Sequence, residues 1–119
     1  GRHYVVTGSQ FVSPYRYGGQ HNRRFQTMYL YYGTTARSSL DTTVDTLMFG
    51  GTCGHYVLQN SSVEAADHSV FSYNGSFTAG STATHYVYTA VNTVGSDDRA
   101  RVYSTANEPH VMNIFEVMP

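Results

Sequence analysis

The chain has 119 residues and a mass of 13.2 kDa, which is the size of a single domain. Apolar residues make up 40% of it and charged residues only 13%, whereas it holds 11 Tyr, 12 Ser and 14 Thr. This composition excludes a coiled coil and a charged disordered tail, and a single Cys excludes an internal disulfide scaffold. A membrane-spanning helix is excluded as well, because no run approaches about 20 apolar residues.

The charges are nearly balanced overall but are unevenly distributed along the chain. The net charge is −1 and all seven basic residues are Arg, which argues against a general binder of nucleic acid or membrane surfaces. Residues 1–40 carry five Arg and no acid, whereas residues 41–119 carry two Arg and eight acids. One interpretation is that the basic part binds an anionic partner or docks on the acidic part of another copy. The other is that the two parts intermix in the folded sheet, so that the separation disappears in space.

The residues that dominate the chain are those that form strands. Val, Thr, Tyr and Phe alternate with polar residues between clusters of Gly, Asn, Asp and Ser, and no helical apolar repeat is present. The predicted strands are 3–7, 25–32, 43–49, 55–59, 68–73, 76–79, 84–93, 99–106 and 111–118. This spacing predicts an all-β domain, a two-layer antiparallel sandwich of the jelly-roll kind with eight or nine short strands.

Local motifs predict how these strands connect. Asn74-Gly75 between two alternating runs is typical of a type I′ hairpin turn. Turns are also predicted at 95–98 and 107–110, which would make the last three strands an antiparallel meander. A single helical turn is expected at 63–67. The segment 8–24 lacks alternation and predicts a long loop, and loops of that length are often functional.

Residues 14–25 of that predicted loop interleave aromatic rings, guanidinium groups and side-chain amides. A ring can stack on the apolar face of a sugar, while Arg and amide groups bond its hydroxyls. The same groups suit phosphate, sulfate, carboxylate or single-stranded nucleic acid. The predicted ligand contacts are Tyr15, Arg16, Tyr17, Asn22, Arg23 and Arg24. The alternative is an irregular surface loop whose Arg residues pair with acids from the rest of the chain.

Carboxylates and histidines offer weaker candidates for a metal site. The acidic turn at 96–98, with Asp41 and Asp45, could supply oxygen ligands to Ca²⁺, although Asp is also an ordinary turn residue. The six His show no metal-ligand spacing along the chain. The histidines that could still converge in space are His55, His68 and His85. We therefore expect no metal and no cofactor.

Catalysis and covalent modification have little support in the sequence. Cys53 and His55 would lie side by side on one strand face, and no Gly-X-Ser-X-Gly motif occurs, so a small hydrolase is disfavoured. Cys53 lies among glycines and is expected to be buried and inert. Asn60 and Asn74 begin glycosylation sequons that would matter only in a secreted eukaryotic protein. The chain starts without Met, which favours a processed form or an excised domain.

In composition the chain is similar to small extracellular β-sandwich lectins and carbohydrate-binding modules. It is also similar to jelly-roll subunits of surface filaments and viral shells. The likeness is compositional and rests on no specific motif, and fold alone does not fix function. We expect a non-catalytic carbohydrate-binding module, secreted or at the cell surface, that recognises a glycan or another polar or anionic ligand. The alternative is a self-assembling structural subunit, hence a homo-oligomer.

Overall fold

The computed structural model describes residues 1–16, 23–56, 65–66, 69–93 and 98–118, and this part of the chain is all-β. It contains no helix, and therefore no helix long and apolar enough to cross a membrane. The strands are β1 (Arg2–Arg16), β2 (Arg23–Gly33), β3 (Thr46–Tyr56), β4 (Ala65–Ala66), β5 (Ser69–Ala79), β6 (Tyr86–Thr93), β7 (Asp98–Val102) and β8 (Val111–Val117).

The first sheet is built around β1, which has 15 residues and forms antiparallel pairs along both of its sides. Its first part lies between β5, paired from Arg2 to Val12, and β8, paired from His3 to Ser9. Its last part lies between β7 and the two-residue β4. Although five strand segments contribute to it, the sheet is three strands wide where β5 and β8, or β4 and β7, lie on opposite sides of β1.

The second sheet has three antiparallel strands in the order β3-β2-β6. An irregularity between Leu30 and Tyr31 shifts the register of β2 against β3. Across both sheets the eight segments occupy six strand positions, fewer than the eight or nine predicted. The prediction was too high because 43–49 and 55–59 overlap a single strand, β3, and because 68–73 and 76–79 belong to a single strand, β5.

One hydrophobic core joins the two sheets face to face, as the sandwich prediction requires. The first sheet contributes Val6, Val12, Phe71, Tyr73 and Phe77, and the second contributes Met28 and Leu30. Rings make contact across the gap between the sheets, with centroids 4.7 Å apart for Tyr32 and Phe77 and 5.8 Å apart for Phe49 and Phe71. Because the chain has no Trp, Tyr and Phe supply the large pieces of this core.

The predicted loop at 8–24 is wrong for most of its length. Residues 8–16 form the second part of β1, and 23–24 begin β2, while 17–22 lie outside the described residues. The alternation failed because inward positions of β1 are occupied by Gly8 and Gln10 rather than by apolar side chains. Gln10 is only 5% exposed, and its side-chain oxygen accepts a hydrogen bond from the Thr89 hydroxyl at 2.9 Å. A buried polar group satisfied in this way is tolerated in a core.

The predicted hairpin at Asn74-Gly75 is also wrong, because β5 runs straight through both residues. Gly75 pairs with Val6 and faces the second sheet. A Cβ added at Gly75 would lie 2.8 Å from Met48 Cβ and 3.3 Å from Leu30 Cδ2. The glycine therefore permits close approach of the two sheets, and its presence does not signal a turn.

The remaining connections differ from the prediction as well. The last three strands form no meander, since β6 pairs with β2 in the second sheet, whereas β7 and β8 pair with β1 in the first. The turn expected at 107–110 begins two residues earlier, where Thr105 and Glu108 exchange two hydrogen bonds. The helical turn expected at 63–67 is wrong at Ala65–Ala66, which is strand β4. Of the turn at 95–98, only Asp98 is described, and it begins β7.

Gly75→Ala should lower the free energy of unfolding by about 1–3 kcal/mol, because Met48 and Leu30 must move to admit the methyl group. Gly80→Ala is the matched control, since no atom lies within 4 Å of a Cβ added there. We expect the control to change stability by no more than about 1 kcal/mol, in the stabilising direction. Urea unfolding of both variants measures the difference.

Substitution of Asn74, the residue before Gly75, distinguishes a continuous strand from a hairpin. We expect Asn74→Thr to leave the free energy of unfolding nearly unchanged or to raise it. In a type I′ turn Asn74 needs a positive φ, so Asn74→Thr would be strongly destabilising. In β5 the exposed Asn74 occupies an ordinary strand position, where Thr is favoured. A loss of more than about 1 kcal/mol in Asn74→Thr would contradict the continuous strand.

Candidate functional site

A cleft of about 710 Å³ opens at the end of the sandwich where β1 begins. We call it the terminal cleft. Its walls come from the start of β1, the end of β5, the segment 80–85, the start of β6 and the middle of β8. The lining residues that matter for its chemistry are Arg2, Tyr4, Phe77, Ser81, His85 and Ile114.

Stacked rings form the floor of the terminal cleft. Phe77, which is only 7% exposed, stacks on Tyr4 with centroids 5.2 Å apart and an interplanar angle of 21°. The Phe77 ring also stacks on Tyr32 and on His85, with ring centroids 4.7 Å and 6.0 Å apart. A ring held by three neighbours keeps its orientation, so the floor is pre-formed and does not need to be ordered when a ligand arrives.

His85 is fixed between the terminal cleft and a second recess of about 350 Å³, which shares Gly80, Ser81 and His85 with it. The His85 Nδ1 atom donates a hydrogen bond to the Ala83 carbonyl oxygen at 2.8 Å. This bond sets the orientation of the imidazole and leaves Nε2 as the ring nitrogen available to a ligand.

Arg2, at the rim of the terminal cleft, belongs to a pair of opposite charges. The Arg2 guanidinium lies 3.5 Å from a carboxylate oxygen of Glu116, and the two side chains are 72% and 39% exposed. An ion pair this exposed contributes about 0–1 kcal/mol to stability. Little folding energy is therefore lost if the two groups turn toward a bound ligand.

The terminal cleft combines an apolar ring surface with donors and acceptors at its edge. Such a site suits a ligand that has one apolar face and a polar periphery. Sequence reasoning missed it because its residues run from Arg2 to Ile114 and share no local motif. The available signal was indirect, since several of them stand at the ends of predicted strands.

Four of the six residues predicted as ligand contacts have a described backbone, and it lies at the opposite end of the molecule. Tyr15 and Arg16 end β1, where their backbones pair with β4 and β7, and Arg23 and Arg24 begin β2, paired with β3. Tyr17 and Asn22 lie outside the described residues, as do the side chains of the other four. Thirteen residues of extended strand separate Arg2 from Tyr15, a distance of about 43 Å. Ligand binding by these six residues stays a prediction.

Two of the carboxylates suggested as calcium ligands, Asp41 and Asp45, already accept hydrogen bonds from neighbouring residues. Asp41 Oδ1 accepts hydrogen bonds from the Thr43 backbone N–H at 3.0 Å and from the Thr43 hydroxyl at 2.6 Å. These bonds keep the pKa of Asp41 below its ordinary value. Within the described residues no three His, Cys, Asp or Glu side chains come together as a metal site. The side chains of His55 and Asp98, like the residues His68 and Asp97, lie outside them.

The buried carboxylate of Asp45 is bonded to both Arg37 and Tyr88. We call these three residues the Asp45 anchor. The Asp45 side chain is 2% exposed, and Oδ2 accepts hydrogen bonds from Arg37 Nε at 2.9 Å and from the Tyr88 hydroxyl at 2.6 Å. The Arg37 bond, with that from Tyr88, holds the pKa of Asp45 below its ordinary value. Burial and the bond to Asp45 raise the pKa of Tyr88 to about 12. The anchor fastens the segment between β2 and β3 to β6.

Two of these ion pairs bear on the uneven charge distribution. Arg2 pairs with Glu116, and Arg37 pairs with Asp45, so arginines from the first third of the chain meet acids from the remainder. The interpretation that the two parts intermix is confirmed for these two arginines. The side chains of Arg16, Arg23 and Arg24 lie outside the described residues.

A tyrosine crosses the first sheet from one edge strand to the other. The Tyr73 hydroxyl donates to the Val111 carbonyl oxygen at 3.2 Å and bonds His110 Nε2 at 2.7 Å. Since the hydroxyl has one proton, His110 Nε2 must be the donor in the second bond. Gly8 makes this crossing feasible, because a side chain there would collide with the Tyr73 ring and the Val111 carbonyl. Burial lowers the pKa of His110 and raises that of Tyr73.

The comparisons with known proteins identify no relative of this chain. No family model, no curated protein and no solved structure matches it. The function of the protein must therefore be inferred from the residues of this chain alone.

Tyr88→Phe should lower the stability of the protein at neutral pH, because buried Asp45 loses one of its two donors. Tyr86→Phe is the matched control, since Tyr86 lies two residues earlier on β6 and is 39% exposed. Denaturant midpoints measure the effect. Because the folded pKa of Asp45 is lowered, its stabilisation is lost as the pH falls below 3.8 and through the folded pKa. The deficit of Tyr88→Phe should therefore shrink in acid, and equal losses in both variants would contradict the anchor.

Protonation of His110 should lower the free energy of unfolding when the solution is mildly acidified. The folded pKa of His110 is below 6.5, so the unfolded chain takes up a proton at higher pH than the folded one. Stability from this group is complete above pH 6.5 and is lost as the pH falls through that value toward the folded pKa. His110→Gln retains a donor for Tyr73 but does not titrate, and should flatten the stability profile between about pH 5 and pH 8. The exposed His3→Gln variant is the control, and a slope abolished by it instead would refute the assignment.

Proposed function

We propose that this protein is a non-catalytic extracellular binding module that recognises carbohydrate through its terminal cleft, on a sandwich of the jelly-roll kind. The observation that supports this most directly is the ring floor of Tyr4, Phe77 and His85 beneath an open cleft. The rim adds the Arg2–Glu116 pair and the hydroxyl-bearing segment 81–82.

The two parts of the terminal cleft match the two parts of a sugar ring. A pyranose has an apolar face of C–H groups, which packs on aromatic rings, and a periphery of hydroxyls. Arg2 supplies donors in a planar fork, and Glu116 supplies acceptors, so together they can bond neighbouring hydroxyls. The volume of about 710 Å³ is in the range of small-molecule sites.

The charge of the rim favours a neutral glycan over a sulfated or otherwise anionic one. Arg2 has its charge matched by Glu116 at 3.5 Å, so the rim presents a balanced pair instead of a cationic patch. An anionic ligand would have to displace Glu116 from Arg2 and would meet the repulsion of that carboxylate. Neutral hydroxyls can bond to both groups without separating them.

A glycan array followed by calorimetry on the best ligand tests the proposal. Arg2→Ala combined with His85→Gln should weaken binding by about 10-fold or more, since a lost hydrogen bond to a charged group costs that much. The thermal midpoint should stay close to that of the parent, because the Arg2 side chain is 72% exposed and His85 is only half-buried. His3→Gln is the matched control, since His3 follows Arg2 on β1 and points to the opposite face of the sheet.

The double variant Tyr15→Ala/Tyr17→Ala tests the other end of the molecule in the same assay. If it loses binding while the cleft variant keeps it, the site consists of the six residues predicted from the sequence. Absence of binding to every glycan on the array would overturn carbohydrate recognition itself.

A further inference from the structure

The edge strand β8 exposes apolar side chains on both of its faces. Val111, Phe115 and Val117 are 43%, 57% and 43% exposed on the outer face, and Ile114 is 50% exposed on the face toward the second sheet. Met118, which follows the strand, is 78% exposed. Only β1 pairs with β8 among the described strands, so the other edge of β8 has no strand beside it in that part of the chain.

The opposite edge of the same sheet provides an internal comparison. Strand β5 pairs with the same β1 residues as β8 does, so each outer position of β8 has a counterpart on β5. The outer residues of β5 in this stretch are all polar and exposed, namely Ser72, Asn74, Ser76 and Thr78. Their counterparts on β8 are Val111, Asn113, Phe115 and Val117. One edge is therefore suited to water, and the other edge to contact with protein.

Most of the usual protection against edge pairing is missing from β8, and the one charge that its register places on the inner face is offset by a neighbouring strand. Soluble proteins blunt an open edge with Lys, Pro, a bulge or an inward-pointing charge. Strand β8 contains no Lys, Pro or Arg, and its one charged residue, Glu116, is paired with Arg2 of its neighbour β1. Its register with β1 is regular from Val111 to Val117. A second strand that is apolar on both faces is what such an edge accepts.

We propose that β8 pairs antiparallel with β8 of a second copy of this chain, which joins the first sheets of two molecules into one continuous sheet. This goes beyond carbohydrate recognition and does not depend on it. The resulting dimer has two-fold symmetry, the commonest arrangement of soluble oligomers.

The sequence of β8 is complementary to itself in this pairing. A two-fold axis at Ile114 overlaps all seven residues and keeps inner side chains opposite inner side chains. Ile114 then faces Ile114 of the second copy, and Val111 faces Val117 at both ends. Glu116 lies opposite Met112, so no like charges face each other across the new pair, which would be destabilising.

The forces that hold this dimer differ from those of docking by opposite charges. Backbone hydrogen bonds and apolar contacts are little affected by added salt, whereas exposed charge pairs are screened at distances beyond about 8 Å at physiological ionic strength. Arg2 and Arg37 are each paired with an acid of the same molecule, Glu116 and Asp45. These pairs reduce the charge separation on which head-to-tail docking would depend. The dimer should therefore persist at high salt.

Analytical ultracentrifugation over a range of concentrations tests the dimer. The parent should reach a mass twice 13.2 kDa in low and high salt alike. Phe115→Lys places an ammonium group in the pair and should raise the dissociation constant by about 100-fold or more, with an unchanged circular dichroism spectrum. Ser76→Lys is the matched control, since Ser76 and Phe115 both pair with Val5, and it should dimerise like the parent.

Disulfide cross-linking tests the register. In a Cys53→Ser background, Ile114→Cys should cross-link to itself on mild oxidation, because directly opposed residues lie within disulfide reach. Val117→Cys should not, because its two copies would be separated by six residues, about 20 Å along the strands. A parent that is monomeric at all concentrations, a dimer that survives Phe115→Lys, or equal cross-linking of the two cysteine variants would overturn the proposal.

Discussion

The first sheet depends on a single strand, because β4, β5, β7 and β8 each pair with β1 and, in the described part of the chain, with no other strand. These four strands, which begin at residue 65 or later, must therefore find a template that is complete by residue 16. Such pairing is non-local, and topologies dominated by it fold slowly. It also means that the two ends of β1 lie at the two ends of the described structure, with the terminal cleft at one end and the predicted contact residues Tyr15 and Arg16 at the other.

Sequence patterns predicted the kind of fold well, because strand propensity and alternation are properties of neighbouring residues. They were correct for an all-β domain, for its two antiparallel sheets and for strands close to β2, β6 and β8. They failed where one residue has a role set by a distant one. Gly75 is glycine because Met48 approaches it from the second sheet, and Gln10 is tolerated inside because Thr89 donates to it. No local pattern contains that information.

The same reason explains why the sequence pointed to residues 14–25 and gave no sign of the terminal cleft. Residues 14–25 gather rings and guanidinium groups in one stretch of sequence, so they form a visible motif. The terminal cleft gathers similar groups only through topology, since β1, β5, β6 and β8 each contribute one or two residues. Its recognition requires the register of β1 with β5 and β8, which places Tyr4 beside both Phe77 and Glu116.

The terminal cleft and the β8 edge share a strand, and this links the two proposals physically. Ile114 lines the cleft and lies on the proposed two-fold axis, while Glu116 pairs with Arg2 of the rim and would face Met112 of the second copy. A ligand that draws Glu116 toward the cleft changes the group presented to the partner, and a partner that fixes β8 also fixes one wall of the cleft. Any resulting coupling must be reciprocal, so that whatever dimerisation does to ligand affinity, ligand must do to dimer affinity. The exposed apolar residues of β8 therefore lie beside the terminal cleft, and the proposed dimer would place two such clefts along one continuous sheet.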